Sequence, residues 1–226
     1  KKTVPYKRNQ NVMPADLEEY FAYFLEWKKM WKGANLCYEY HFWRHQFLDL
    51  GGLEIAKRLY EDVRSLKIVG LEGYVQDGSQ RSFFPTGLQF YVYGETLFDS
   101  SVAFDELVED YFSHAFGKNW KTVLDYLEKL KELVRYSYLY GKESKDEEKG
   151  GYYNPDMLDN LKKAKAVVGD FMPVIKDNLI QPMRASTVAW QMLEFGAIYV
   201  DMLMDLLSLV AVGEKDEQMK EFKKIV

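Results

Sequence analysis

The sequence predicts an α/β fold in which residues 1–100 form the last βα units of a (β/α)8 (TIM) barrel and residues 101–226 form an α-helical domain. Two observations predict it. Up to Asp99, short aromatic or apolar runs alternate with amphipathic helical stretches, which is typical of parallel βα units. After Asp99 only helical periodicity remains. The chain is therefore expected to be predominantly helical by residue count.

The amino-terminal region begins with a predicted loop over 1–13, followed by a helix. Pro14, with acidic residues close behind it, favours a helix start, and Gly33 favours its end. Two strands follow, each bounded by turn-forming residues and each followed by a helix. In chain order, the predicted strand, helix, strand and helix cover 36–43, 53–67, 68–76 and 86–98.

The carboxy-terminal region is predicted as a helical bundle. Its apolar stripes predict helices over 103–116, 120–140, 155–177, 182–212 and 214–225. Two parallel strands cannot close a barrel that needs eight. We therefore expect the remainder of a larger polypeptide to supply the missing strands. The alternative is that both strands exist but belong to another architecture.

Charge and composition exclude several partners. The formal net charge of −5 gives the chain no electrostatic reason to bind nucleic acid. The most apolar stretch, 195–212, carries Asp201 and Asp205 at helical spacing, which indicates a core-facing helix and no membrane span. His41 and His45 stand four apart without a further ligand nearby, and no phosphate-loop pattern occurs, so we expect no metal and no cofactor.

Two glutamates one βα period apart are the candidate catalytic residues. Glu39 and Glu72 each lie in a predicted strand, and period-two alternation places them on the polar faces. Inward carboxylates on neighbouring barrel strands would lie roughly 5 to 10 Å apart, a range that covers both glycosidase geometries. The alternatives are that each pairs with an Arg or Lys, or hydrogen-bonds a ligand without transferring a proton.

Polar and aromatic residues around these glutamates are the candidate substrate-binding residues. The aromatic rings could stack on a sugar, although packing in the core explains their presence equally simply. The polar loop after the second strand has the composition of a loop in a binding site. The predicted substrate-binding set is Tyr40, His41, Trp43, Tyr74, Gln76 and Arg81.

Four segments resemble a family of large, uncharacterised bacterial glycoside-hydrolase-like barrel proteins, which are distantly related to α-glucuronidases and β-hexosaminidases. These segments are Tyr38-Glu39-Tyr40-His41, Glu61-Asp62-Val63-Arg64-Ser65-Leu66, Gly70-Leu71-Glu72-Gly73-Tyr74 and Gln80-Arg81-Ser82-Phe83-Phe84-Pro85-Thr86-Gly87-Leu88. The resemblance extends over residues 5–135 and more faintly beyond. Leu97-Phe98-Asp99 resembles the segment that leaves the barrel in that family, with Phe98 where Trp is more frequent.

The resemblance implies a polypeptide with an accessory domain, a barrel and a helical extension, of which this chain matches the end. It places the proton donor on a barrel strand before Lys1, so that Glu39 and Glu72 would contact substrate. The implied function is that of a carbohydrate-active protein, a glycoside hydrolase acting on a complex glycan, with this chain as one wall of the sugar-binding cleft. The family's usual role implies a secreted or cell-envelope location.

Two other functions are compatible with the sequence. One is a non-catalytic module that binds carbohydrate or docks a protein partner through its helices. The other is a purely structural helical protein with an incidental βα unit, for which Glu39 and Glu72 would face solvent on opposite sides.

Overall fold

The computed structural model describes Pro14 and residues 16–42, 45–77 and 83–214. The predicted opening loop and most of the predicted last helix, 214–225, lie outside these residues. The helices, in chain order from α1 to α8, are Leu17–Met30, Leu53–Val69, Leu88–Phe98, Phe104–Phe116, Trp120–Leu133, Tyr136–Leu139, Leu158–Asp177 and Arg184–Val212. The strands are β1, Leu36–Glu39, and β2, Gly73–Gln76.

Within the described ranges the fold is mainly helical, with β1 and β2 forming one small sheet. The prediction of a (β/α)8 (TIM) barrel portion is therefore wrong. The apolar residues that a barrel would place in layers between strands and helices are used mainly between helices. Within the predicted barrel portion, Ala56 of α2 and Leu88 and Val92 of α3 belong to the same core as Phe112 of α4 and Trp190 of α8.

The two strands pair in parallel, as predicted, but they are shorter than the sequence indicates. Leu36 pairs with Gly73, and Glu39 pairs with Gln76. Ile68 and Val69, predicted as strand, form the last turn of α2 instead. Gly70 ends that helix in the left-handed conformation, with φ of 78°, and its N–H donates to two carbonyls of the last turn.

A small second core joins the sheet to α2 and α3. Its buried residues are Phe42, Leu59, Val63, Leu66 and Tyr93. Because the apolar positions of α2 recur at helical spacing, one face of that helix reaches this core while its opposite face stays exposed. Helix α1 attaches to the same unit by hydrogen bonds, with Lys28 Nζ donating to the Gly70 carbonyl and Trp27 Nε1 donating to Asn35 Oδ1.

Helix α8 is long and apolar enough, by length and composition alone, to cross a membrane. A core helix of a folded domain has the same properties, and α8 buries Trp190, Leu193, Val200 and Met204 in the largest core. Lys165 of α7 also forms ion pairs with Asp201 and Asp205 of α8. These are the contacts of a helix packed inside a domain, and the expected lack of a membrane span stays a prediction.

Phe42 offers a test of the small core. Its side chain is 0% exposed, and its ring meets that of Tyr93 edge-on at 5.6 Å. We expect Phe42→Ala to lower the free energy of unfolding by about 3 to 5 kcal/mol, because it removes buried apolar area and leaves a cavity. Urea titration followed by circular dichroism measures the change.

The matched control is Phe98→Ala, at a side chain that is 91% exposed. It should change the free energy of unfolding by no more than about 0.5 kcal/mol. Equal effects of the two substitutions would contradict the placement of Phe42 in a core.

Candidate functional site

The carboxyl edge of the sheet gathers polar groups because the two strands are parallel. Helices α2 and α3 follow β1 and β2, so the loops that leave both strands lie on the same side of the sheet. Such edges are where open α/β units place their ligands. We therefore take the carboxyl edge as the candidate site.

The Gln76 side chain links the ends of both strands. Its Nε2 donates to the carbonyl of Glu39 at 3.1 Å and to that of Asp77 at 2.6 Å. Because both partners are acceptors, Nε2 is the amide nitrogen and Oε1 is the acceptor that faces His41 Nδ1 at 2.8 Å. His41 therefore carries a proton on Nδ1 and presents Nε2 to other partners.

Glu39 lies on the same half-buried face, where its carboxylate accepts a hydrogen bond from the Cys37 thiol at 2.9 Å. Burial and this hydrogen bond raise the pKa of Cys37 to about 12. Burial, followed by the charge of Glu39, raises the pKa of Tyr93 to about 12. At neutral pH the Cys37 thiol and the Tyr93 phenol are therefore protonated, and both are potential hydrogen-bond donors near Glu39.

This polar face packs against helices, which reverses one prediction. The sequence places Glu39, His41, Tyr74 and Gln76 on one face, and the register confirms that Glu39 and Gln76 are neighbours there. We expected that face to be open and the apolar face to pack on helices. Instead, the His41 ring meets Tyr74 at 5.1 Å and Tyr93 of α3 at 5.9 Å. The reason is that these rings bring apolar surface to the helices, while the His41 ring nitrogen is hydrogen-bonded to Gln76.

The open face carries two tyrosines beside a carboxylate. Tyr38 and Tyr40 are 57% and 48% exposed, and their rings meet edge-on at 5.3 Å. The Tyr38 hydroxyl donates to Asp77 Oδ2 at 3.1 Å. Hydrogen bonds with Tyr40 and then Asp77 raise the pKa of Tyr38 to about 12, so the phenol stays neutral. Sequence reasoning selected Tyr40 but missed Tyr38 and Asp77, although Asp77 directly follows the second strand.

Glu72 lies away from this group, at the amino edge of the sheet. It precedes β2, and its N–H donates to the carbonyl of Asn35 at 2.9 Å. Gln76, the neighbour of Glu39, is four positions further along, which corresponds to about 13 Å of strand. The alignment of Glu39 with Glu72 as equivalent positions is therefore wrong. Instead, Glu72 lines a surface depression of about 360 Å³ with Trp31 and three lysines, Lys28, Lys32 and Lys67.

Two predicted substrate-binding residues, Trp43 and Arg81, lie outside the described residues. Nearby on the chain, His45 Nδ1 is 2.6 Å from the Tyr136 hydroxyl, and its ring stacks on Tyr140 at 6.0 Å. In the part of the chain that the structure describes, no group of three or more potential metal ligands occurs. The expected lack of a metal or cofactor stays a prediction.

Comparison of the chain with known protein families, curated proteins and solved structures finds no match. The resemblance to glycoside-hydrolase-like proteins therefore stays a prediction. What the site does has to be inferred from its geometry.

Asp49 is a buried carboxyl group just before α2. Asp49 is 2% exposed, and its Oδ2 accepts a hydrogen bond from the Ile55 N–H at 2.9 Å. Burial raises the pKa of Asp49 to about 6, against the opposing effect of the N–H donors of α2. The folded protein therefore favours the protonated form more than the unfolded chain does.

We expect this burial to make stability pH-dependent. Between the unfolded pKa of about 3.9 and the folded pKa of about 6, the folded state binds more protons, so stability falls as the pH rises through this window. The effect amounts to roughly 3 kcal/mol and is complete above the folded pKa. Asp49→Asn should therefore gain stability relative to the native chain between pH 4 and pH 7. Urea unfolding of both proteins at several pH values measures this, and a pH-independent difference would contradict it.

Proposed function

We propose that this chain provides a carbohydrate-binding surface, one wall of a sugar-binding cleft in a carbohydrate-active protein. Tyr38 and Tyr40, exposed beside the Asp77 carboxylate, are the observation that carries this proposal. The same edge also holds the His41 and Gln76 side chains. Tyr38, Tyr40 and Asp77 form an aromatic surface bordered by a hydrogen-bonding carboxylate, whereas His41 and Gln76 lie on the face that the helices cover.

The chemistry of a sugar fits such a surface. One side of a pyranose ring presents C–H groups, which pack on aromatic rings, while its hydroxyls need both donors and acceptors. Asp77 supplies an acceptor, and a hydrogen bond to a charged acceptor is stronger than a neutral one. The phenol hydroxyls of Tyr38 and Tyr40 both donate and accept. The Tyr38–Asp77 hydrogen bond already orders both side chains, which reduces the conformational entropy lost when a sugar binds.

The described geometry favours binding over hydrolysis by this chain alone. Paired glycosidase carboxylates lie about 5 to 5.5 Å apart in retaining enzymes and about 6.5 to 9.5 Å in inverting ones. Glu39 pairs with Gln76, and Glu72 lies four positions before Gln76, so the backbone positions of the two glutamates are offset by about 13 Å along the strand. A hydrolytic role would therefore need a carboxylate from the remainder of a larger polypeptide, as the resemblance implies.

A protein-interaction role has one specific observation in its favour. Helix α1 buries only Ala22 among the described residues, and several of its large apolar side chains are exposed. These include Leu17, Tyr20, Leu25, Trp27 and Met30. Large exposed apolar surfaces mark interaction sites. Such a surface is compatible with a chain that docks against the remainder of a larger polypeptide.

Glycan binding is tested by titrating the chain with plant and host oligosaccharides in a calorimeter. We expect Tyr40→Ala and Asp77→Asn each to weaken binding about tenfold, since each removes a contact of about 1.4 kcal/mol. Glu72→Gln is the matched control, because it changes a carboxylate at the opposite edge, and it should leave affinity unchanged. Equal affinity in all variants would reject the proposed surface.

Hydrolysis is tested by screening the same proteins against aryl glycosides. Because Glu39 and Glu72 lie at opposite edges of the sheet, we expect no turnover by the chain alone. Turnover that Glu39→Gln or Glu72→Gln abolishes would show that the pair catalyses after all.

A further inference from the structure

A pocket of about 420 Å³ lies between α3, α4 and the start of α8. It contains none of the residues assigned to the carboxyl-edge site. Its volume falls in the range of small-molecule sites in proteins. The pocket is therefore a second candidate for ligand binding, formed by other parts of the chain.

Most of the pocket wall is apolar. The apolar side chains come from the loop before α3, from α4, and from α8 and the residue before it, and they are Phe83, Ala115, Met183, Ala185, Val188, Ala189 and Met192. Methionine side chains adapt to ligands of different shape, and aromatic rings offer flat faces. Such a wall suits the apolar body of a small ligand.

Hydrogen bonds fix the loop that forms one side of the pocket. The Gly87 N–H donates to the Tyr111 hydroxyl at 2.6 Å, which ties the start of α3 to α4. A Cβ atom on Gly87 would lie 2.9 Å from the Phe83 ring and 3.0 Å from that hydroxyl. Gly87 therefore lets the loop lie closer to Phe83 and Tyr111 than a larger residue at this position would allow. The pocket wall is held in place before any ligand binds.

A polar corner occupies one end of the pocket. The Tyr91 hydroxyl donates to Asp110 Oδ2, and His114 Nδ1 lies 3.4 Å from Asp110 Oδ1. His114 Nδ1 is also 2.8 Å from the Asp110 carbonyl. Burial, followed by Asp110, raises the pKa of Tyr91, so this phenol stays a donor at neutral pH. Tyr91 thus orients a carboxylate that remains half-exposed toward the pocket.

Asp110 dominates the charge of this pocket. Among the described residues that line it, Asp110 is the one acidic side chain, neither lysine nor arginine is present, and the His114 ring lies against Asp110. Ala185 and Ser186, in the first turn of α8, also line it, and a helix start carries roughly half a positive charge. The full charge of the carboxylate is larger. The rings of Phe83 and Tyr91 further favour a cation.

We infer that this pocket binds a small molecule with an apolar ring and a protonated amine. The ammonium group contacts the Asp110 carboxylate, and the ring lies against Phe83, Met183 and Met192. An anionic ligand of the same size is disfavoured by Asp110, and a neutral one lacks the charge-assisted hydrogen bond.

The test uses three probes with the same phenyl ring and different head groups: 2-phenylethylamine, 2-phenylethanol and phenylacetate. Each is titrated into the full chain at pH 7, and binding is followed by two-dimensional ¹H–¹⁵N NMR. We expect the amine to bind at least about tenfold more tightly than the alcohol and the acid. Asp110→Asn should remove this preference and leave the affinity for the alcohol unchanged.

Two further variants make the result specific to the pocket. Asp105→Asn is the control, because it removes an exposed carboxylate from the same helix outside the pocket, and it should keep the preference for the amine. Ala185→Trp places a large ring at the exposed pocket wall and should weaken binding of all three probes. The inference is overturned if no probe binds, if phenylacetate binds as tightly as the amine, or if Asp110→Asn or Ala185→Trp leaves amine binding unchanged.

Discussion

Parallel pairing of β1 with β2 is the constraint on which the candidate site depends. A parallel pair needs a crossover connection, and α2 supplies it. Both strands then end at the same edge, where the loops toward α2 and α3 begin. For this reason His41 becomes a neighbour of Gln76, and Tyr38 of Asp77, although the members of each pair are far apart along the chain.

Which face of the sheet the helices cover determines which side chains a ligand can contact. Tyr74, His41 and Tyr93 fill the space between the sheet and α3, with their ring edges and faces in contact. The Gln76 amide satisfies the carbonyls at the strand ends, so this layer has little unpaired polarity. Tyr38 and Tyr40 are left on the outside, and the accessible surface is aromatic with Asp77 at its border.

The helical core is the rigid support of the second pocket. Tyr126 of α5 stacks on Phe171 of α7 at 4.2 Å, and Phe116 of α4 meets Trp190 of α8 edge-on at 5.1 Å. The Phe116–Trp190 contact joins α4 to α8, between which the apolar pocket opens. The two surfaces differ in chemistry: one combines phenols with carboxylate and amide groups, and the other combines an apolar wall with a single acidic side chain.

Local features of the sequence predicted much of the secondary structure. Glycines and apolar spacing located α2 and α3 within two residues of their bounds, and strand alternation identified the face that Glu39 shares with Gln76. Strand length was overestimated, because Ile68 and Val69 are apolar in either structure and only Gly70 decides where the helix ends.

The sequence by itself determined where most helices lie and which side chains of each strand share a face, because both depend on neighbours along the chain; it placed Ile68 and Val69 in a strand and predicted one helix over 120–140, where the structure has α5 and α6. Only the tertiary structure decided that no barrel forms in the described residues, that helices cover the face of Glu39, and that Glu72 lies at the other edge. These depend on strand register and on packing between distant segments, which periodicity does not encode.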